Sequence, residues 1–388
     1  MRWEVLRGRS DGAAPRVTNM ELFFDLVYVF AITQLSAFLI AHTTFRGALE
    51  ALILFGAVWW AWNYTAWATN WIDPESPPAA LLMIVLMAIS LEMSAAIPKA
   101  FEGRGIAFAA GYVAIQVIRS GFMVRAFEAG DRMRRNYAQL LAWSCIAGAI
   151  WVAGALVDRD LRLVLWLVAL AVDVGAPIHG FWLPGRGRTP IEDWTLAGAH
   201  LAERCQLVLM IALGETILRV GLTFSSDIGS PSVDAAFVVG FLLCAALWAT
   251  YFLRYAERGS EVIGRLPEDA ARVGRVGYAY AHAIMIAGVI VVAVAIRLTI
   301  ENPDGGSTAA SAVTMLAGPG LYMVGLMLFK WAVGHMSSGA PLLALAGLAA
   351  LGAVAAFGAD RLIVMVCATA IVGVMAVGAA TSGPDPAG

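Results

Sequence analysis

Apolar residues along this chain come in runs of about twenty, the length an α-helix needs to cross the hydrocarbon core of a bilayer. Short polar or Gly/Pro-bearing segments separate the runs, and twelve spans are predicted, near 20–42, 48–68, 79–99, 105–125, 137–156, 161–181, 198–219, 232–253, 274–297, 309–330, 340–358 and 361–380. The fourth is interrupted by Gln116 and Arg119. Only Gly358-Ala359-Asp360 joins the last two, so a re-entrant pair there would reduce the count to ten. The pattern predicts an all-α, polytopic transmembrane helix bundle of about twelve helices.

The first and seventh spans invite comparison. Glu21 to Ser36 and Glu203 to Leu218 overlay at an offset of 182, and each is followed by a Trp-bearing span, with Trp60-Ala61 or Trp248-Ala249. A six-plus-six duplication would place one half at 20–190 and the other at 191–380, between an N-terminal segment 1–19 and a tail 381–388. Six spans return the chain to the same side, so such halves would be parallel repeats.

Composition sharpens the class. With 60% hydrophobic and 14% charged residues, the chain could not cover one soluble core with a polar surface. A net charge of -2 argues against a nucleic-acid partner, which demands a concentrated basic face. With the N-terminus inside, the segments facing the cytoplasm carry about twice as many Lys and Arg residues as those facing out, which predicts cytoplasmic termini. The first nineteen residues lack a cleavable signal, so the first span itself is expected to direct insertion. The four cysteines lie within apolar runs without paired spacing and read as small buried hydrophobes. Lys99 and Lys330 fall at the ends of spans, which argues against a Schiff base in mid-membrane.

Charges inside the spans are the candidate chemistry, because an ionisable group in a membrane helix is costly unless it is paired or used. On the first span Glu21 and Asp25 lie about 40° apart on one face, with Tyr28 a turn deeper. On the seventh, His200, Arg204 and Glu215 fall within about 60° of one another and Glu203 lies to the other side of His200. Arg204 and Glu215 are about 16 Å apart along the axis and cannot pair, so each needs a partner from another helix. The candidates are Glu21, Asp25, Glu92, Arg119, Asp173, His179 and His282. Acids outnumber the two buried arginines, Arg119 and Arg204. A bundle centre holding them all would carry surplus negative charge unless some were protonated or bound a cation, an arrangement suited to proton coupling.

Structural readings stand beside these. Glu203 with Arg204, or Asp25 with Arg119, would serve as a fixed ion pair. Glu21 would cap its helix at the water interface behind Thr18 and Asn19. His282 would be a hydrogen-bonded core histidine, and Trp59, Trp60, Trp62, Trp67 and Trp71 an interfacial belt or, alternatively, an aromatic box for a cation. No phosphate loop, zinc-protease helix or nucleophile turn is present, and His200-x-x-Glu203 is the one metal-like spacing. The five histidines, His42, His179, His200, His282 and His335, are scattered. No enzyme, cofactor or metal centre is expected.

Glu21 to Val27, Trp59-Trp60-Ala61-Trp62-Asn63, Glu203-Arg204, Leu213-Gly214-Glu215 and Tyr280-Ala281-His282 together resemble the bacterial low temperature requirement protein A family. The resemblance implies a multi-pass protein of the bacterial cytoplasmic membrane, in a family named for growth in the cold rather than for a reaction. The leading expectation is a secondary transporter, with Asp25, Glu203 and Glu215 binding protons or cations. Arg204 and Arg119 would balance them or hold an anionic substrate. The alternative is a cation channel, because Phe24-Asp25-Leu26-Val27 is faintly similar to the Phe-Ser-Asp-Gly first helix of a potassium-channel family. A non-transporting membrane protein supporting growth in the cold is the third reading. The expected partners are the lipid bilayer and a small ion or solute. Small residues one turn apart, such as Gly352 and Ala356, allow close helix contacts within the chain or in a homo-oligomer.

Overall fold

The computed structural model describes residues 5–7, 16–224, 230–265, 269–334 and 339–381. Most of segment 1–19, nearly all of the tail 381–388 and His335 lie outside the described residues. Helix makes up 81% of the structure, with no strand among the described residues. In chain order the helices are α1 (Asn19–Ala41), α2 (Phe45–Thr69), α3 (Pro77–Ala96), α4 (Gly105–Ala126), α5 (Arg132–Ala155) and α6 (Arg159–Gly175). Then come α7 (Gly198–Phe224), α8 (Pro231–Phe252), α9 (Tyr255–Arg265) and α10 (Ala270–Val273). The last runs through a π-helical segment (Gly274–Tyr280) into α11 (Ala281–Ile300), followed by α12 (Ala309–Ala332), α13 (Gly339–Ala356) and α14 (Arg361–Thr381).

Each predicted span is met by a long helix, and ten helical runs are long and apolar enough to cross a membrane. The two that are not are α2 and α6. Tryptophan, tyrosine and polar side chains lower the hydropathy of α2, and every residue from Ala57 to Asn70 is buried, so the second half of this helix is enclosed by protein around its circumference. The sixth span ends at Gly175, short of its expected limit, because Pro177 has no N–H with which to extend the ladder. Gly180 then turns the chain at φ +62°. The last two spans are separate helices, joined by a turn in which Gly358 takes φ +82°.

Helix starts are written locally. Asp131 caps α5 by accepting from the Met133 N–H at 2.7 Å, and Thr308 and Ser311 cap α12 reciprocally. Asp158 caps α6 by accepting from Asp160 and Leu161, and these backbone N–H groups hold its carboxyl below the usual carboxylate range.

The chain packs as two compact units. The first comprises Met1–Phe38, Phe45–Arg204 and Gly264–Arg272; the second comprises Leu39–Thr44, Cys205–Ile263 and Val273–Gly388. The core of the first is aromatic. Trp151 and Trp166 are fully buried, their ring centroids 5.3 Å apart, and Phe108 and Phe101 close on Trp166 at 5.5 and 4.9 Å. Trp59, Trp60, Trp62 and Trp67 are buried as well, which corrects the expectation of an interfacial belt: their helix has no lipid-facing side along that stretch. All four cysteines are free, Cys205 and Cys244 buried and Cys145 and Cys367 facing outward.

The second unit is built on close backbone approach. A Cβ added at Gly288 would stand 2.7 Å from the Gly318 carbonyl oxygen and from the Tyr322 nitrogen, and one added at Gly318 would stand 2.8 Å from the Val292 nitrogen. α11 and α12 therefore meet backbone to backbone, the contact that small residues permit in membrane helices. Gly352 faces Leu316 of the same chain. Its small side thus packs within the protein.

Gly288→Ala and Gly318→Ala should each destabilise the protein by about 1–3 kcal/mol through overpacking. Gly347, whose added Cβ would meet Ile371 at 3.4 Å, should instead gain up to about 1 kcal/mol from helix propensity on replacement by Ala. Thermal unfolding of the three variants in detergent checks the opposite signs.

Candidate functional site

The first turn of α1 is a reciprocal cap. Thr18 Oγ1 accepts from the Glu21 N–H at 3.3 Å while Glu21 Oε2 accepts from the Thr18 N–H at 2.9 Å and its hydroxyl at 3.0 Å. Oε2 also accepts from Arg7 Nη2 at 3.0 Å. The other oxygen, Oε1, turns inward to Arg204 Nη1 at 3.0 Å and His200 Nε2 at 3.0 Å. Glu21 does cap its helix, but it is fully buried rather than lying at the water interface, because Arg7, Arg204 and His200 close over it.

One turn deeper, Asp25 Oδ1 accepts from Arg204 Nη2 at 2.6 Å and from the Trp62 indole N–H at 2.7 Å. Its Oδ2 is buried and has no hydrogen-bond partner. Arg204 also donates to Thr69 Oγ1 at 3.1 Å and lies 5.7 Å from the Trp62 ring centroid. The arrangement follows from helical spacing. Glu21 and Asp25 stand at i and i+4 on α1, as do His200 and Arg204 on α7, so two side-chain pairs confront each other. Trp62 and Thr69, seven residues apart on α2, share a face and close the site.

Asn70 sets the histidine. Its Oδ1 accepts from the Ala197 N–H at 2.8 Å, just before α7, which fixes the amide so that Nδ2 faces His200 Nδ1 at 3.3 Å. Nδ1 is then the acceptor and the Nε2 proton goes to Glu21. Arg7 comes from the N-terminal segment, strapped to the end of α2 by Arg7 N–H to Trp71 O at 2.9 Å and Arg7 Nε to Ile72 O at 2.9 Å. Two guanidiniums therefore face two carboxylates, and this cluster carries no surplus of negative charge.

A second buried polar system lies in the same unit. Arg119 is fully buried and donates to Gln116 Oε1; the Gln116 amide donates to Tyr112 at 2.8 Å. The Tyr112 hydroxyl donates to Asp173 Oδ2 at 2.8 Å, and the Trp151 indole does the same at 2.9 Å. Asp25 and Arg119, weighed as an ion pair, do not bond to each other.

The remaining candidates stand apart. The Glu92 side chain is 61% exposed and pairs with Arg104 at 2.6 Å, because its face of α3 points outward. Glu203 is exposed and accepts from the Val17 N–H at 3.3 Å, so it neither pairs with Arg204 nor converges with His200 as a metal site would require. His179 is exposed on the turn after α6. In the second unit Glu215 bonds Arg219, four residues on, at 3.0 Å. There too His282 is a core histidine: Nδ1 donates to the Gly277 carbonyl at 2.8 Å, Nε2 meets the Tyr251 hydroxyl at 3.0 Å, and the ring stacks on Tyr278. The acids are thus dispersed, which removes the expected central surplus. No group of three or more His, Cys, Asp or Glu among the described residues could hold a metal ion.

The family model for the bacterial low temperature requirement A protein (LtrA) matches residues 16–377, from the cap of α1 into α14. The chain belongs to the LtrA family. An uncharacterized protein of Rhizobium meliloti (strain 1021) is 36% identical over 314 residues, covering 80% of this chain and 76% of that protein. No solved structure matches. As an LtrA member with ten helical runs suited to crossing a bilayer, this is a multi-pass integral membrane protein.

Arg204→Gln should be the most damaging single change in the cluster, costing about 3–5 kcal/mol by leaving two buried carboxylates without their shared cation. Adding Glu21→Gln and Asp25→Asn to the same chain should recover part of that loss. Melting temperatures of the single and triple variants test this, and equal or lower stability of the triple variant would contradict it.

Proposed function

We propose that this LtrA protein is a proton-coupled secondary transporter of the bacterial cytoplasmic membrane, with both termini in the cytoplasm and Asp25 as its proton-carrying group. The observation that carries the reading is the unpartnered, buried Oδ2 of Asp25 beside the doubly bonded Oδ1. A proton can join Oδ2 without displacing an existing hydrogen bond. Glu21 offers no such position, since both its oxygens are fully engaged. It anchors the cluster.

Protonation of Asp25 changes the cluster's charge by one. Arg7 and Arg204 would then outweigh Glu21, and the 2.6 Å contact from Arg204 to Asp25 would lose its ionic character. That contact ties α7 to α1, so the proton's arrival loosens one helix against another, the kind of step alternating access requires. A hard metal cation fits less well, because it takes about six oxygen ligands and Asp25 presents a single vacant one. Outward-facing residues such as Leu81, Ile84, Val164 and Val374 supply the apolar surface for lipid.

Reconstitution in liposomes with a trapped pH indicator tests the proposal. An imposed solute gradient should drive proton movement, and Asp25→Asn should lower the rate at least about tenfold while Glu92→Gln leaves it unchanged. Full flux in Asp25→Asn would refute the role of Asp25. Unitary current steps in planar bilayers would replace the transporter with a channel.

A further inference from the structure

Arg119 poses a different electrostatic problem from Arg204. It is fully buried, yet none of its hydrogen bonds goes to a carboxylate: besides Gln116 it reaches only Ala61 O at 3.4 Å, Thr65 Oγ1 at 3.5 Å and Ser120 Oγ at 3.5 Å. Its Nε, like that of Arg204, has no partner, but Arg204 has two carboxylates on its other nitrogens. Its helix, α4, packs on α5, which carries Tyr137. The Tyr64 ring lies 5.3 Å from the Arg119 guanidinium, and the buried Tyr137 hydroxyl likewise has no hydrogen-bond partner. Burying an unpaired guanidinium is costly, and each orphaned donor adds to the cost.

The orphaned Nε of an unmatched cation and an orphaned hydroxyl on the helix packed against it call for an acceptor that brings a negative charge. Among the described residues the one carboxylate connected to Arg119 is Asp173, and it stands at the far end of two neutral side chains. Every bond in that chain points the same way, Arg119 to Gln116 to Tyr112 to Asp173, so the carboxylate polarises the chain without touching the guanidinium. The charged and titratable groups facing Asp173 are Tyr112 and Arg119, both from α4. α5 presents the neutral Trp151 indole, and α2 presents the Trp60 indole, which donates to the Asp173 backbone carbonyl at 2.8 Å.

We propose that Arg119 and the Tyr137 hydroxyl bind a small monovalent oxyanion, such as a carboxylate, and that its binding is linked to protonation of Asp173. With Asp173 ionised, an arriving anion meets a like charge across the Gln116–Tyr112 chain. With Asp173 neutral, Arg119 is left without any countercharge and holds the anion more strongly. Linkage makes the effect reciprocal, so the bound anion favours the proton on Asp173. Anion and proton then enter together, with no net charge moved. The inference deepens the transport reading by naming the class of solute, but it concerns equilibrium binding and is tested without flux.

Isothermal titration of the full-length protein in detergent with sodium acetate, sodium nitrate and sodium chloride tests it. The two oxyanions should bind more tightly than chloride, and more tightly as pH falls, by up to about tenfold per pH unit for one linked proton. Arg119→Gln should abolish binding, and Tyr137→Phe, which keeps the ring and the fold, should weaken it at least about threefold. Asp173→Asn should bind as tightly at neutral pH as wild type does in acid and lose the pH dependence. Acetate affinity unaltered in Tyr137→Phe and Arg119→Gln, or absent from wild type at every pH, would overturn the site. PH-independent wild-type binding would overturn the link to Asp173. Failure here with proton flux intact would leave Asp25 coupling standing, and the reverse result would remove only the transport reading.

Discussion

A buried guanidinium shared by two carboxylates is the constraint on which the first unit depends. Arg204 is fully buried, so the cost of its charge is met by Glu21 Oε1 at 3.0 Å and Asp25 Oδ1 at 2.6 Å. Satisfying that charge brings three helices to fixed positions. α1 must present both acids on one face, α7 must begin early enough to carry His200 and Arg204 inward, and α2 must place Trp62 and Thr69 between them. The reciprocal cap at Thr18 and the strap from Arg7 complete the valence of Glu21. A carboxylate one turn into α1 thus becomes both the start signal of the helix and the anchor of its neighbours.

The two buried polar systems solve the same problem differently. Around Arg204 opposite charges touch and balance. Around Arg119 they are held apart by Gln116 and Tyr112, leaving the cation with orphaned donors nearby. The second unit relies far less on buried charge. Its helices close by backbone contact at Gly288 and Gly318, and His282 is enclosed by Tyr251, Tyr278 and Phe329 with its nitrogens engaged.

The helices were legible from sequence because a run of apolar residues is a local property, and a bilayer-length run admits few other structures. The sixth differed at its end for a local reason as well, Pro177. What periodicity could not reveal was which face of each helix meets protein. Glu92 and Asp25 are both acids in apolar helices, and only tertiary packing turns one outward and the other in. Trp59 to Trp67 read as a membrane interface because tryptophan favours one, yet α2 is enclosed and its indoles donate to Asp25 and Asp173. Glu21 and Asp25 stood among the named partners for Arg204, since an arginine in a span needs an acid from another helix. Nothing in the Arg-rich N-terminal segment singles out Arg7.

In the proposed mechanism the Arg204 cluster is ionically complete and the proton goes to the unpartnered Oδ2 of Asp25. Infrared difference spectroscopy of the protein in lipid, recorded across a downward pH step, measures this directly through the carboxylic C=O stretch. A carboxylic band should appear on acidification in wild type, persist in Glu21→Gln and be missing from Asp25→Asn. A band retained in Asp25→Asn and lost in Glu21→Gln would contradict it.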